Sequence, residues 1–230
     1  MSIQVIKPGA FRSHLSRQIA FSDDFITANN SSGRMGEAAW NASAPTGSAI
    51  NASYLDAPAG TCGVMQILAG NAGNDSTVWS QWSAHLPSLL VGSRLDVRIL
   101  GVSTTDCRWW LGLAGDRGIV PVTAGGVEFA GFRYDTAIDQ NVRGVTKTGA
   151  AAETLVTCDA ISTTNWHTYS LDVPTAGTVR FFVDGTQKGT SSTNIPSGPF
   201  HILFGIQADA AAHKRFYIDS FELYAPLDRS

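Results

Sequence analysis

Residues 165–224 read as antiparallel β-structure almost without a break, and no other feature restricts the fold of this chain as much. In residues 166–173, His167, Tyr169, Leu171 and Val173 fall on one side, and Thr168, Ser170 and Asp172 on the other. Such period-two alternation marks a strand with one buried face. The turn-prone Pro174-Thr175-Ala176-Gly177 leads to Val179-Arg180-Phe181-Phe182-Val183, and Asp184-Gly185 separates that run from residues 186–190. Asp-Gly between two extended runs predicts a hairpin, because a primed turn needs positive φ at its central residues and this pair tolerates it. Residues 200–207 and 215–224 supply two more extended runs. A sheet that ends a chain in this way belongs to a sandwich or a barrel.

Upstream the same signal recurs in shorter pieces: residues 21–25, a run ending at Trp40, then 53–57, 62–68, 78–85, 93–102, 108–114, 126–134, 141–146 and 154–159. No amphipathic helix and no fixed-period repeat emerges, which disfavours propellers and β-helices. All-β sandwiches often run ~200–250 residues as one domain, and this chain of 230 residues holds nothing that resembles a linker. The expected architecture is all-β, a two-sheet antiparallel β-sandwich over residues 21–230. Residues 1–20 carry too little apolar surface to fold alone. They read equally well as a docking arm or as an edge strand.

Composition narrows the function. Charged residues make up 15%, against roughly 25% in ordinary soluble domains. With a net charge of −3 and no basic cluster longer than Lys214-Arg215, the chain lacks the concentrated positive charge that nucleic-acid binding needs. Cys62, Cys107 and Cys158 are odd in number and have no CxxC spacing, so they are expected to be free thiols buried as small hydrophobes, folded in a reducing compartment. The N-terminal residues show no signal-peptide h-region, and no apolar run approaches the ~20 residues that span a bilayer. Neither export nor membrane insertion is expected.

The order Trp-x-x-Tyr-x-Leu-x-Val, Val-x-Phe-Phe-Val-Asp-Gly, Phe-x-Ile-x-Phe-Gly-Ile and Phe-Tyr-Ile-Asp-x-Phe-Glu-Leu-Tyr runs through Trp166, Tyr169, Leu171, Val173, Val179, Phe181, Val183, Asp184, Gly185, Phe200, Ile202, Phe204, Gly205, Ile206 and residues 216–224. It resembles concanavalin A-like lectin/glucanase and laminin-G-type jelly rolls, as do Asp23-Asp24-Phe25 and Trp40. The resemblance covers most of residues 21–225 and implies a concanavalin A-like jelly roll. That fold hosts lectins, glycoside hydrolases, polysaccharide lyases and structural modules, so it leaves function open. The low-charge composition rich in Ala, Gly, Thr and Ser, with an unprocessed N-terminus, also resembles tailed-phage virion structural proteins.

Glycosidases need two carboxylates about 5–5.5 Å apart to retain configuration and about 6.5–9.5 Å apart to invert it. The jelly-roll glucanases this chain resembles place them as Glu-x-Asp-x-Glu or Glu-x-Asp-x-x-Glu on one strand. Here Glu occurs only at positions 37, 128, 153 and 222, none with that spacing. Glu128 is the best lone candidate, but alternation separates it from Asp135, and a solvated or ion-paired role suits it better. Lyases of the fold combine Arg, Gln, His and Tyr. His167, Tyr169 and His201 lie on strands, although His167 and Tyr169 share a side with core residues. No Gly-x-Ser-x-Gly elbow, phosphate cradle or paired metal-ligand histidine spacing is present. The resemblance implies that Asp23, Asp24 and Asp219 meet where the first and last strands pair, a candidate structural calcium site; Asp is also common at strand ends for turn reasons. No other cofactor is implied. Trp79, Trp82, Trp109 and Trp110 are the candidate contact aromatics. Each neighbouring pair sends one ring each way, toward glycan or toward a protein interface.

These readings converge on a non-enzymatic virion structural or adhesive protein: a phage capsid-decoration, head-fibre or tail-associated jelly roll, made in the host cytoplasm. Its partners would be other virion proteins and copies of itself, a trimer among the options, with contact to a cell-surface glycan. The alternatives are a lectin-like carbohydrate-binding module and a glycan-cleaving hydrolase or lyase of the same fold.

Overall fold

The computed structural model describes residues 18–23, 34–35, 40–43, 64–69, 76–81, 89–101, 103–115, 127–138 and 140–226. Every helix or strand among them is a strand. In chain order these are β1 (Gln18–Asp23), β2 (Arg34–Met35), β3 (Trp40–Ser43), β4 (Met65–Leu68), β5 (Ser76–Gln81), β6 (Arg94–Gly101), β7 (Cys107–Ala114) and β8 (Phe129–Asp135). They continue with β9 (Asn141–Lys147), β10 (Thr154–Ala160), β11 (His167–Thr175), β12 (Thr178–Val183), β13 (Thr186–Ser191), β14 (His201–Ala208) and β15 (Arg215–Pro226).

The strands form two antiparallel sheets. The first runs β1-β15-β6-β11-β12-β13, with β4 also pairing β15; the second runs β10-β9-β8-β7-β14-β5-β3-β2. First and last strands pair, from Gln18 opposite Pro226 to Asp23 opposite Phe221. Residues 18–20, read as part of a docking arm or an edge strand, are paired in β1 at the edge of the first sheet. The run read as ending at Trp40 instead starts there, as β3. Residues 1–17 and the runs around 53–57 and Cys62 lie outside the described residues.

The hairpin of β12 and β13 closes as its dipeptide requires. Val183 pairs Thr186, and Asp184 and Gly185 hold φ of 50° and 76°, the primed-turn conformation that matches strand twist. The Asp184 carboxylate accepts the Thr168 N–H at 2.8 Å and sits 2.6 Å from His167 Nδ1, tying the turn to β11. Those contacts hold its carboxyl below the usual carboxylate range against the opposing effect of burial.

Between the sheets lies one apolar core. Trp109, Leu111, Phe132, Tyr134 and Phe204 of the second sheet meet Tyr169, Phe181, Phe216 and Phe221 of the first. Phe132 packs edge-on to Phe181 at 5.4 Å between ring centroids, and Trp109 lies 6.1 Å from Tyr169 and 6.0 Å from Phe216. These are the offset and edge-to-face geometries that aromatic pairs favour. Tyr169, Leu171 and Val173 are buried here, as the alternation in β11 requires.

The first sheet turns a charged face away from that core. Arg94 pairs with Asp96 at 2.7 Å, Arg180 with Asp172 at 2.5 Å and Arg98 with Asp219 at 2.5 Å. Arg98 also stacks over Trp166. Mixed signs facing solvent are what an exposed antiparallel face is expected to show.

Candidate functional site

The outer face of the second sheet is different, and strand register defines it. Trp110 stands between Arg133 on β8 and Gly205 on β14, with Arg143 of β9 beyond Arg133. In the row on one side of it, Asp135, Arg108 and Gln207 are neighbours. In the rows on the other side, Val145, Gly131, Gly112 and Leu203 are followed by Lys147, Phe129, Ala114 and His201.

This face is buried, although no described strand packs over it. Trp110, Ala114, Phe129, Val145 and Leu203 form their own apolar cluster. Around them Arg133, Asp135, Lys147, His201 and Gln207 are buried as well. Buried polar and titratable side chains converging on one face mark a candidate binding site with a stated physical basis. The centre is floored by glycine. A Cβ on Gly131 would stand 2.3 Å from the Leu111 carbonyl oxygen and 2.8 Å from the Phe129 ring, and one on Gly112 would meet the same ring at 3.1 Å. The Phe129 ring therefore lies over the paired glycines.

Polar contacts divide into two groups. Arg108 joins two carboxylates: its Nε donates to Asp209 Oδ2 at 3.4 Å, its Nη2 lies 3.0 Å from Asp209 Oδ1, and Asp135 Oδ2 is 3.9 Å from Nε. The other oxygen of Asp135 accepts the Ala137 N–H at 3.0 Å. Because the two Oδ2 atoms share one nitrogen, they can be no farther apart than 3.9 and 3.4 Å laid end to end. That ceiling leaves room for the separation of about 5–5.5 Å at which paired carboxylates hydrolyse glycosides with retention. In the second group Arg133 pairs with Glu153, and Arg143 donates to Thr157.

The residues singled out from sequence are dispersed. Trp109 and Trp110 do send one ring each way, but both are buried, at 1% and 0% exposure. Neither is the exposed contact aromatic that was expected. Trp79 stands opposite Phe204 in β5, and Trp82 lies outside the described residues. Asp219 is committed to Arg98, Asp23 belongs to β1 and Asp24 is outside the description. Among the described residues no group of three metal-ligating side chains occurs. Glu128 binds the loop before β14: its carboxylate accepts the Ser197 N–H at 3.1 Å, the Gly198 N–H at 2.7 Å and the Ser197 hydroxyl at 3.1 Å. Cys107 and Cys158 are free and buried; Cys62 is not described. The Arg108-centred carboxylates were missed because Asp209 stands outside every strand motif, and only the pairing of β7 with β14 brings it to Arg108.

No protein-family model matches the chain, and neither does any curated protein. Solved structures match in shape. A protein of unknown function from Shewanella oneidensis MR-1 superposes with a TM-score of 0.65 at 17% identity, covering 93% of this chain and 88% of that one. The β-glucanase of Bacillus licheniformis gives 0.57 at 14% identity, covering 91% and 98%. A family 16 endo-glucanase from Bacteroides ovatus gives 0.59 at 16% identity, covering 88% and 99%. The chain thus shares the concanavalin A-like jelly-roll sandwich fold of these structures.

Two expectations are corrected. The non-enzymatic virion role has no counterpart among these neighbours, several of which are glycoside hydrolases; the hydrolase alternative fits them better. The physical reason lies in β7, β8 and β14, which are buried on both faces. The rings of Trp109 and Trp110, read as candidate contacts toward glycan or a protein interface, are inside the molecule.

Proposed function

We infer that the protein acts on polysaccharide at the outer face of its second sheet and cleaves glycosidic bonds there, with Asp135 and Asp209 as its carboxylate pair. The observation that carries this reading is the shared contact of both carboxylates with Arg108, on the scaffold that glycoside hydrolases of similar shape use. In hydrolysis one carboxyl group protonates the departing glycosidic oxygen, while the other activates water or attacks the anomeric carbon. Arg108 fixes the two groups relative to each other. The middle of β7, Trp109-Trp110-Leu111-Gly112-Leu113, carries no acid, so the pair sits at the strand end rather than along the strand.

The test is release of reducing ends from a panel of laminarin, alginate and hyaluronan by the wild-type protein and by Asp135→Asn and Asp209→Asn. Each variant is expected to keep its circular dichroism spectrum and lose about 10²–10⁴-fold in rate, the usual contribution of a positioned acid or base. Turnover at the wild-type rate in both variants would remove the pair from the chemistry. Polysaccharide binding without chain cleavage would instead make the protein a lectin-like module.

A further inference from the structure

Two buried nitrogens on the outer face of the second sheet have hydrogens to donate and nothing to receive them. Trp110 Nε1 and Arg133 Nε have no hydrogen-bond partner, yet Trp110 is 0% exposed and Arg133 2%. The two residues are direct cross-strand neighbours. A buried polar group left unpaired is costly, and such groups in folded proteins ordinarily have a protein, water or ligand partner. Both groups are donors only, since an indole N–H and a guanidinium have no acceptor. Whatever satisfies them must bring acceptor oxygens.

The surroundings specify the acceptor further. Arg143 extends the row on one side of Arg133. On the other side, Gly205 stands beside Trp110 with no side chain to fill the space. Arg133 already holds one carboxylate, that of Glu153, through Nη1 alone, which leaves its Nε edge free to donate. Two guanidinium groups and an indole N–H in one row suit a planar or tetrahedral anion better than a neutral hydroxyl.

We propose that Trp110, Arg133 and Arg143 form a subsite for the negatively charged group of an anionic glycan, either the carboxylate of a uronic acid or a sulfate ester. The proposal rests on the glycan-acting reading above and gives that reading its substrate class. Successive rows on one face of a strand are about 7 Å apart, so the subsite lies one row from Asp135 and Arg108. A sugar held by its charge there sits next to the carboxylates.

Calorimetric titration with three probes tests this: oligogalacturonate, oligosaccharides of a sulfated galactan, and neutral laminari-oligosaccharides. At least one anionic probe is expected to bind about tenfold or more tightly than the neutral one, and to weaken as salt is raised. Preference between the two anionic probes identifies the charged group. Trp110→Phe keeps an aromatic ring and removes the donor, and it should weaken the preferred anion about tenfold, a larger loss than it causes for the neutral probe. Glu153→Gln removes the resident competitor for Arg133 and should tighten anion binding, so the proposal does not depend on a variant that loses function. Equal affinity for neutral and anionic probes, or anion binding indifferent to both substitutions, overturns the subsite. Neutral chains cleaved in an Asp135-dependent way, with no anion preference, would overturn the subsite and leave the hydrolase reading standing. Anion binding sensitive to Trp110→Phe, without cleavage, would do the reverse.

Discussion

Gly131 of β8 and Gly112 of β7 stand opposite each other, and each is required by what lies against it. A methyl group at Gly131 would meet the Leu111 carbonyl oxygen at 2.3 Å and Gly112 Cα at 2.7 Å, and backbone atoms cannot step aside as a flexible side chain can. Gly131→Ala is therefore expected to destabilise the protein by about 1–3 kcal/mol, the usual cost of overpacking, read as a lower urea midpoint at unchanged slope. A midpoint equal to wild type would mean that the strands part more easily than their register implies. The cysteines give a second expectation at this scale. Burial pushes the Cys107 thiol from 9.0 up to about 12 and the Cys158 thiol up to about 11. A group whose pKa is raised in the folded state adds stability below its unfolded pKa and loses that contribution as pH climbs toward the folded one. Stability should fall between about pH 9 and about pH 12, and Cys107→Ala should flatten that fall. An equally steep decline in the variant would assign it to other groups.

Whole strands were readable from sequence to the extent that one of their faces meets solvent. β11 and β12 alternate because their outer residues do, and the Asp184-Gly185 turn between β12 and β13 followed from its dipeptide alone. In β8 the alternation also held: Phe132 faces the inter-sheet core, while Phe129, Arg133 and Asp135 face outward. β7 and β14 are buried on both faces, and a strand covered on both sides reads as a continuous apolar run. That is why Trp109-Trp110 suggested a spare exposed ring when both rings are inside. Glu128 illustrates what a lone acid in a strand region cannot reveal, because its partners Ser197 and Gly198 lie some seventy positions later. Its task is to hold the loop before β14. Glu128→Gln should leave glycan turnover within about twofold of wild type while accelerating amide hydrogen exchange at Ser197 and Gly198, as expected for local opening. Loss of turnover with unchanged exchange would return Glu128 to the candidate acids.

The molecule as a whole sets two unlike faces around one core. The first sheet shows solvent a mixed-charge ladder; the second buries Trp110, Arg133, Asp135 and Gln207 on its outer side. The jelly-roll class was legible because the C-terminal strands advertise it. The candidate site was not, because it is assembled from β7, β8 and β14 and from Asp209, whose proximity depends on strand order rather than on spacing. The central claim, that this outer face works on polysaccharide, is tested most directly by the chain length of polysaccharides after incubation with the purified protein, measured by size-exclusion chromatography. Laminarin, alginate, hyaluronan and a sulfated galactan supply both neutral and charged substrates. The expected result is shortening of at least one chain, favouring the charged ones, and its loss in Asp209→Asn. Unchanged chain length across the whole panel, with no retention of the protein on any of the polysaccharides, would contradict the account.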